Sequence, residues 1–202
     1  MQSHTPNSDI TAAARTSLSG NWGKAITALF IYGFIQIGLG LSDSVLCGLF
    51  LSPESSLKLA QWVFSGALLV GQASFFISLT NGIPEIPRLF DGFNRFGRSF
   101  ATSFMCGLFV FLWSLLFLIP GIIKSYSYAM TFFILADDPD AGVLEAITRS
   151  RKLMDGNKFK FWLLSWRFFG WAILCMFTMG IGFIWLAPYA QTSMTEFYKD
   201  IK

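Results

Sequence analysis

The residues able to do chemistry are few. The single histidine, His4, stands in a polar stretch, so HExxH, Ser-His-Asp and Cys-His arrangements are all missing. Cys47, Cys106 and Cys175 lie in or beside apolar runs without CxxC spacing, and read as small buried hydrophobes. The run Asp137-Asp138-Pro139-Asp140 is superficially like acidic motifs that hold Mg²⁺ for diphosphate substrates. It has no second copy and no basic clamp, so helix termination and capping explain it better. Asp91-Gly92-Phe93-Asn94-Arg95 opens like the phospholipid-synthase signature DGxxAR, but it lacks the alanine and the later aspartates. No GxxxxGK[ST] loop occurs. The expectation is no catalytic group, no metal site and no cofactor.

Cations carry more information. Arg167 lies inside an otherwise uncharged run, seven residues past Lys160, or roughly 10 Å deeper at about 1.5 Å per residue. Glu196, near the end of the following run, is expected at similar depth. Arg167 and Glu196 are therefore read either as a site for a phosphate or carboxylate headgroup or as a structural pair, with a snorkelling Arg167 as the simplest case. Arg88, Arg95, Arg98, Arg149, Arg151, Lys152, Lys158 and Lys160 cluster between apolar runs, where basic side chains meet anionic headgroups.

The elements that must position these groups follow from composition. Charged residues are 13% of the 202 and aromatic residues 17%, where soluble domains carry about 25% charge. Residues 59–84, 99–123 and 168–195 have no charge, and 25–42 and 125–136 are shorter uncharged runs. A crossing of about 30 Å needs roughly 20 such residues. Turns are expected at Pro120-Gly121 and Gly180-Ile181-Gly182, with a further interruption at Pro188. The expected fold is one all-α membrane domain over 1–202. Its six transmembrane helices, near 24–42, 58–80, 99–119, 122–136, 159–179 and 183–199, form three hairpins.

Lysine and arginine fix the expected orientation. Twelve of them fall in the segments before span one, between spans two and three, between spans four and five, and in the tail. Lys58 and Lys124 fall on the other side. Both ends of the chain are then cytoplasmic. The net charge of +3 reads as topology and implies no nucleic acid. Residues 1–24 lack an apolar run of signal-peptide type, so span one is expected to direct insertion itself.

Amphipathic helices are expected before spans one, three and five. Residues 9–19 place Ile10, Ala13, Ala14 and Leu18 at helical spacing, with Ser8 or Asp9 as cap. Residues 140–155 do the same with Val143, Leu144, Ile147 and Met154. There Asp140 would cap, Glu145 would pair with Arg149, and Gly156 would stop the helix. Residues 84–98 read as a shorter, broken version. Each either lies apolar face down in the interface or packs on the bundle as a connector. Within the spans, Gly66 and Gly71 allow close backbone approach, and Gln36, Gln61, Gln72 and Gln191 suit hydrogen bonds across helices.

An internal echo accompanies these helices. Leu18-Ser19-Gly20-Asn21 resembles Met154-Asp155-Gly156-Asn157, with Arg15 and Arg151 three residues before the Leu or Met, and Lys24 and Lys160 four after the glycine. Arg88-Leu89-Phe90-Asp91-Gly92 echoes Lys152-Leu153-Met154-Asp155-Gly156. Three copies of an interfacial helix followed by a hairpin, the hairpins ending near Gly38/Gly40, Pro120/Gly121 and Gly180/Gly182, are the working hypothesis.

The run from Ile119-Pro120-Gly121 through Lys124 and Tyr126 to Met130, then Phe133 to Pro139, resembles the core motif of a family of small bacterial membrane proteins, domain of unknown function 975. Glu145-Ala146, Ser150 to Gly156, Gly180-Ile181-Gly182, Trp185, Pro188-Tyr189 and Phe197-Tyr198 resemble it too. Arg167 stands where that pattern leads one to expect an uncharged residue. The resemblance implies a multi-pass protein with no established reaction. A more distant similarity to the membrane part of glycerophosphodiester phosphodiesterases implies lipids.

Three functions follow as expectations. The first is a non-enzymatic lipid-interacting accessory or transport-related subunit, whose partners are the bilayer, anionic phospholipids and another membrane protein. The second is a standalone small-solute transporter or channel, with a polar cavity around Gln36, Gln72, Arg167 and Gln191. The third is an intramembrane lipid-processing enzyme, which needs Asp137, Asp138 and Asp140 to converge with Arg151 or Lys152.

Overall fold

The computed structural model describes residues 5–50, 59–116 and 118–202, without the side chains of 42–50, 59–60, 62, 116 and 118–120. His4, the side chain of Cys47, and Lys58 lie outside the description. Among the described residues the chain is all-helical, with no strand.

The first helix, α1 (Asn7–Leu18), buries Ile10, Thr11, Ala14 and Leu18, one stripe at helical spacing. Ala13 is exposed, and the cap position falls to Pro6 instead of Ser8 or Asp9. Next come α2 (Trp22–Phe50) and α3 (Leu59–Thr80). The expected end of the first span at Gly38/Gly40 is not observed, because α2 runs through both glycines. Glycine inside a membrane helix is tolerated where the backbone bonds are satisfied within the segment.

The broken segment 84–98 is a 3₁₀ turn (Ile86–Phe90), a single turn α4 (Asp91–Asn94), and then α5 (Phe96–Leu116). It lies along α3 at backbone contact. A Cβ on Gly71 would fall 1.8 Å from the Leu89 carbonyl oxygen, and one on Gly66 2.3 Å from that of Ser99. A Cβ on Gly92 would fall 1.9 Å from the Ala67 oxygen. Glycine is required here for space. Close approach was legible at Gly66 and Gly71; their partner is this polar segment and the start of α5.

Residues 122–136 are not one helix. They divide into α6 (Leu118–Tyr128) and α7 (Thr131–Asp137), broken at Ala129-Met130. At 1.5 Å per residue α6 reaches about 16 Å and α7 about 10 Å, so neither crosses a bilayer alone. Pro120 is the third residue of α6, in the first turn, where a missing N–H costs nothing. Gly121 meets Ser114 of α5, its missing Cβ only 2.1 Å from Ser114 Oγ. The turn expected at Pro120-Gly121 is not observed there, because both residues lie inside α6.

The chain ends with α8 (Val143–Met154), α9 (Lys158–Phe177) and α10 (Phe183–Ile201). The turn at 178–182 is observed. Pro188 does not interrupt α10 but lies within it. Antiparallel pairing of α9 and α10 is fixed by Gly182 on Cys175, Phe168 on Tyr189 and Phe161 on Phe197.

Among the described residues three helices are long and apolar enough to span a membrane, over Trp22–Leu41, Val63–Thr80 and Phe96–Leu115. Helices α9 and α10 have the length, with 20 and 19 residues. However, Lys158, Lys160 and Arg167 lie in α9, and Glu196, Lys199 and Asp200 in the last turns of α10.

The amphipathic helices have protein against their apolar faces. α1 packs on α10 and α3, where Ser17 Oγ donates to Glu196 at 2.8 Å and Asn7 Nδ2 to the Lys160 carbonyl at 3.1 Å. α8 buries Ala146, Ile147, Ser150 and Met154 against α5, α6 and α7, and Ser150 Oγ donates to the Ser127 carbonyl at 2.9 Å. Leu144 is left exposed. The Glu145–Arg149 pair does not form; Glu145 accepts from the Gly142 N–H instead.

Two of the three echoes are structural. Ser19 (φ −60°, ψ 123°) and Gly20 (φ +80°) form a type II turn closed by Asn21 N–H to Leu18 O at 2.9 Å. Asp155 (φ −68°, ψ 124°) and Gly156 (φ +78°) repeat it, with Asn157 N–H to Met154 O at 3.1 Å. Buried Ile10, Thr11, Ala14 and Leu18 correspond in order to Ala146, Ile147, Ser150 and Met154. The middle copy fails. Asp91 is helical, and Gly92 serves contact with α3 rather than a turn.

Candidate functional site

The basic residues divide by whether a carboxylate answers them. Arg88 pairs with Glu85 at 2.8 Å, and that hydrogen bond raises its pKa above the ordinary arginine value. Arg95 pairs with Asp140 and donates, as Arg98 does, to the Pro139 carbonyl. Arg149 pairs with Asp138 at 2.8 Å, and Lys160 with Asp200 at 2.8 Å in a largely buried bridge.

Asp137, Asp138 and Asp140 therefore do not converge. They diverge to Lys202, Arg149 and Arg95 on three different elements, and Tyr198 Oη also donates to Asp137 at 3.1 Å. The acidic turn ties together α10, α8 and the α4–α5 segment, and it ends α7 as expected, with Asp138 at the C-cap and its N–H on the Ile134 carbonyl at 2.8 Å. The hydrogen bond from Arg149 holds the Asp138 carboxyl below its usual range. Among the described residues no three potential metal ligands gather.

Arg151, Lys152 and Lys158 remain, and Lys124 joins them. These four, with Ser127, Thr148 and Asp155, line a cleft of about 350 Å³ where α6, the end of α8 and the start of α9 meet. Sharing a cleft with Lys158, Lys124 cannot stand on the far side of a bilayer from it, which corrects the expected side. Lys124 Nζ sits 4.5 Å from the Trp113 ring centroid, a cation–π contact that leaves its charge unneutralised. Among the described residues none of the four makes an ion pair. Ser127 and Thr148 donate to the carbonyls of Ile123 and Leu144 within their own helices. An anion would therefore be held by the cations, not by the hydroxyls.

Charge alone did not mark Lys124 in the sequence. The signal lay in its spacing from Ser127, three residues on and on the same helical face.

Arg167 and Glu196 are not paired. Arg167 is exposed on the outer face of α9, while Glu196 is engaged by Ser17. Depth was inferred from residue count, which carries no azimuth. Gln61 Nε2 donates to Gln36 Oε1 across α2 and α3 at 3.3 Å. Neither the basic cleft, nor a cleft of about 390 Å³ beside Asp91, Arg95 and Arg98, nor those along α9, α10 and α1 is lined by Gln36, Gln72, Arg167 or Gln191.

All-helical among the described residues, with three helices there fit to span a membrane, the chain has the make-up of a membrane protein. It belongs to the family described as Protein of unknown function (DUF975), which matches residues 1–124 and 115–202 and so covers the whole chain. No curated protein matches it, and no solved structure does.

Proposed function

We propose that the chain is a non-enzymatic integral membrane protein that binds anionic phospholipid headgroups, as an accessory or transport-related subunit of a membrane assembly. The supporting observation is the cleft that gathers Lys124, Arg151, Lys152 and Lys158 with Asp155 as its one carboxylate. Four cations this close repel one another, and an arriving phosphate relieves that repulsion. The α2–α3, α5–α6 and α9–α10 pairs would dip into a bacterial inner membrane from the cytoplasmic side, both ends of the chain remaining there. Apolar exposure supports this immersion. Phe34 of α2 is 82% exposed, Leu115 of α5 74%, and Met179 in the turn after α9 94%. Water would disfavour such surface, and lipid does not.

The test is native mass spectrometry of protein transferred into mixed micelles holding equal phosphatidylglycerol and phosphatidylcholine. Retained phosphatidylglycerol, reduced in an Arg151→Gln/Lys158→Gln double variant, supports the reading. Equal retention of both lipids overturns it.

A further inference from the structure

We infer that the site takes a whole anionic diacyl phospholipid, its phosphate in the basic cleft and one acyl chain along an aromatic groove between α6 and α9. This inference rests on the headgroup reading above and extends it from the phosphate to the chain.

The geometry starts at Lys158, the first residue of α9 and one wall of the basic cleft. Trp162, Ser165, Trp166 and Phe169 follow at four, seven, eight and eleven residues, one face of the same helix. Over those eleven residues the helix advances about 16 Å. Along that length lies a second cavity of about 370 Å³, walled by these four side chains and by Tyr126 of α6. Tyr126 stands between Lys124 and Ser127 in the chain, so α6 and α9 wall both cavities.

The groove is built, and it is dry in character. Trp162 meets Trp166 edge-on at 5.6 Å, Trp166 meets Phe169 at 5.3 Å, and Tyr126 is held edge-on by Phe161 at 5.9 Å. Its one aliphatic hydroxyl, on Ser165, donates to the Phe161 carbonyl at 3.0 Å and so faces its own helix. Trp166 and Phe169 are each 53% exposed along the groove. A soluble anion would use the basic end and leave this surface bare. A phospholipid fits both ends at once.

Charge selects the class of lipid. Four cations against Asp155 leave an excess of three positive charges in the cleft. A zwitterionic headgroup would bring its own ammonium into that field, while a net anionic one would not.

The experiment titrates purified protein in neutral detergent with three probes by native mass spectrometry: dioleoyl phosphatidylglycerol, chain-free glycerophosphoglycerol and inorganic phosphate. Wild type should bind the dioleoyl lipid at least about tenfold more tightly than either soluble probe, since buried methylenes add affinity. Ser165→Phe, which fills the groove, should erase that advantage and leave the binding of glycerophosphoglycerol unchanged. If that variant misfolds, Trp166→Leu should narrow the advantage instead. Replacing Lys124, Arg151, Lys152 and Lys158 together with Gln should abolish binding of all three. Equal affinity for lipid and chain-free probes would overturn the acyl groove while leaving a headgroup site. In a parallel titration, dioleoyl phosphatidylcholine binding as tightly as the anionic lipid would overturn both readings.

Discussion

The segment from Asn7 into α2 and the segment from Val143 into α9 are the same device built twice. Each has a twelve-residue amphipathic helix, a type II turn at Gly20 or Gly156, and a new helix four residues after the last buried side chain. Their charges, however, are used in opposite ways. Arg15 donates from Nε to Tyr189 Oη at 3.1 Å and lies over the Tyr189 ring, while Lys24 is exposed, with no ion pair among the described residues. In the later copy Arg151 opens into the basic cleft, and Lys160 is the residue held, by Asp200. Local sequence repeats the backbone; the surrounding helices decide which cation is available to a ligand. α10 lies across the first unit and occupies its arginine, whereas α6 adds Lys124 beside the second.

The sharpest way to break this comparison is through the middle copy, whose glycine has a different task. Gly92→Ala should leave no folded protein on detergent gel filtration, because its Cβ would fall 1.9 Å from the Ala67 oxygen. Monodisperse Gly92→Ala would mean that the middle segment does not press on α3. Next in size is Asp200→Asn, which removes the carboxylate facing the largely buried Lys160. A loss of about 3 kcal/mol is expected in chemical denaturation, while Lys24→Gln should change nothing measurable.

Gly20→Ala and Gly156→Ala should each cost about 1–2 kcal/mol, the penalty for an L-residue at positive φ, and the two should agree closely. Melting temperatures followed by circular dichroism would show it, and a large inequality would end the claim of twin turns. The smallest effect is electrostatic. Asp138 has a lowered pKa, so the stabilisation from Arg149 is complete above the ordinary carboxylate range and fades as pH falls through the lowered value. Asp138→Asn should flatten that acid limb of a stability–pH curve. An unchanged curve would show that Asp138 and Arg149 are not coupled in solution.

Much of the helical layout was legible because apolar spacing and glycine stops are local. The stripe Ile10-Ala14-Leu18, the stop at Gly156 and the reversal at Gly180 to Gly182 all follow from neighbours in the chain. Gly38, Gly40 and Pro188 misled for the opposite reason, since a breaker's effect depends on whether its helix already satisfies the backbone. Lys124 was assigned to the wrong side by alternation, which assumes that every apolar run crosses completely. The break at Ala129-Met130 defeats that assumption. Of the site, the basic residues were visible as a cluster, but their sorting into paired and unpaired was not. That sorting depends on where Asp138, Asp140 and Asp200 arrive in space.

The acidic turn after α7 has a mechanical corollary. Four consecutive residues hold Lys202, Arg149 and both Arg95 and Arg98, so three remote parts of the chain share one knot. A pull on α8 near Arg151 would pass through Arg149 to this fastening, two residues along the same helix. Strain there would be felt at once by the tail and by the root of α5, making the fold a linkage with one pivot rather than a stack of independent rods.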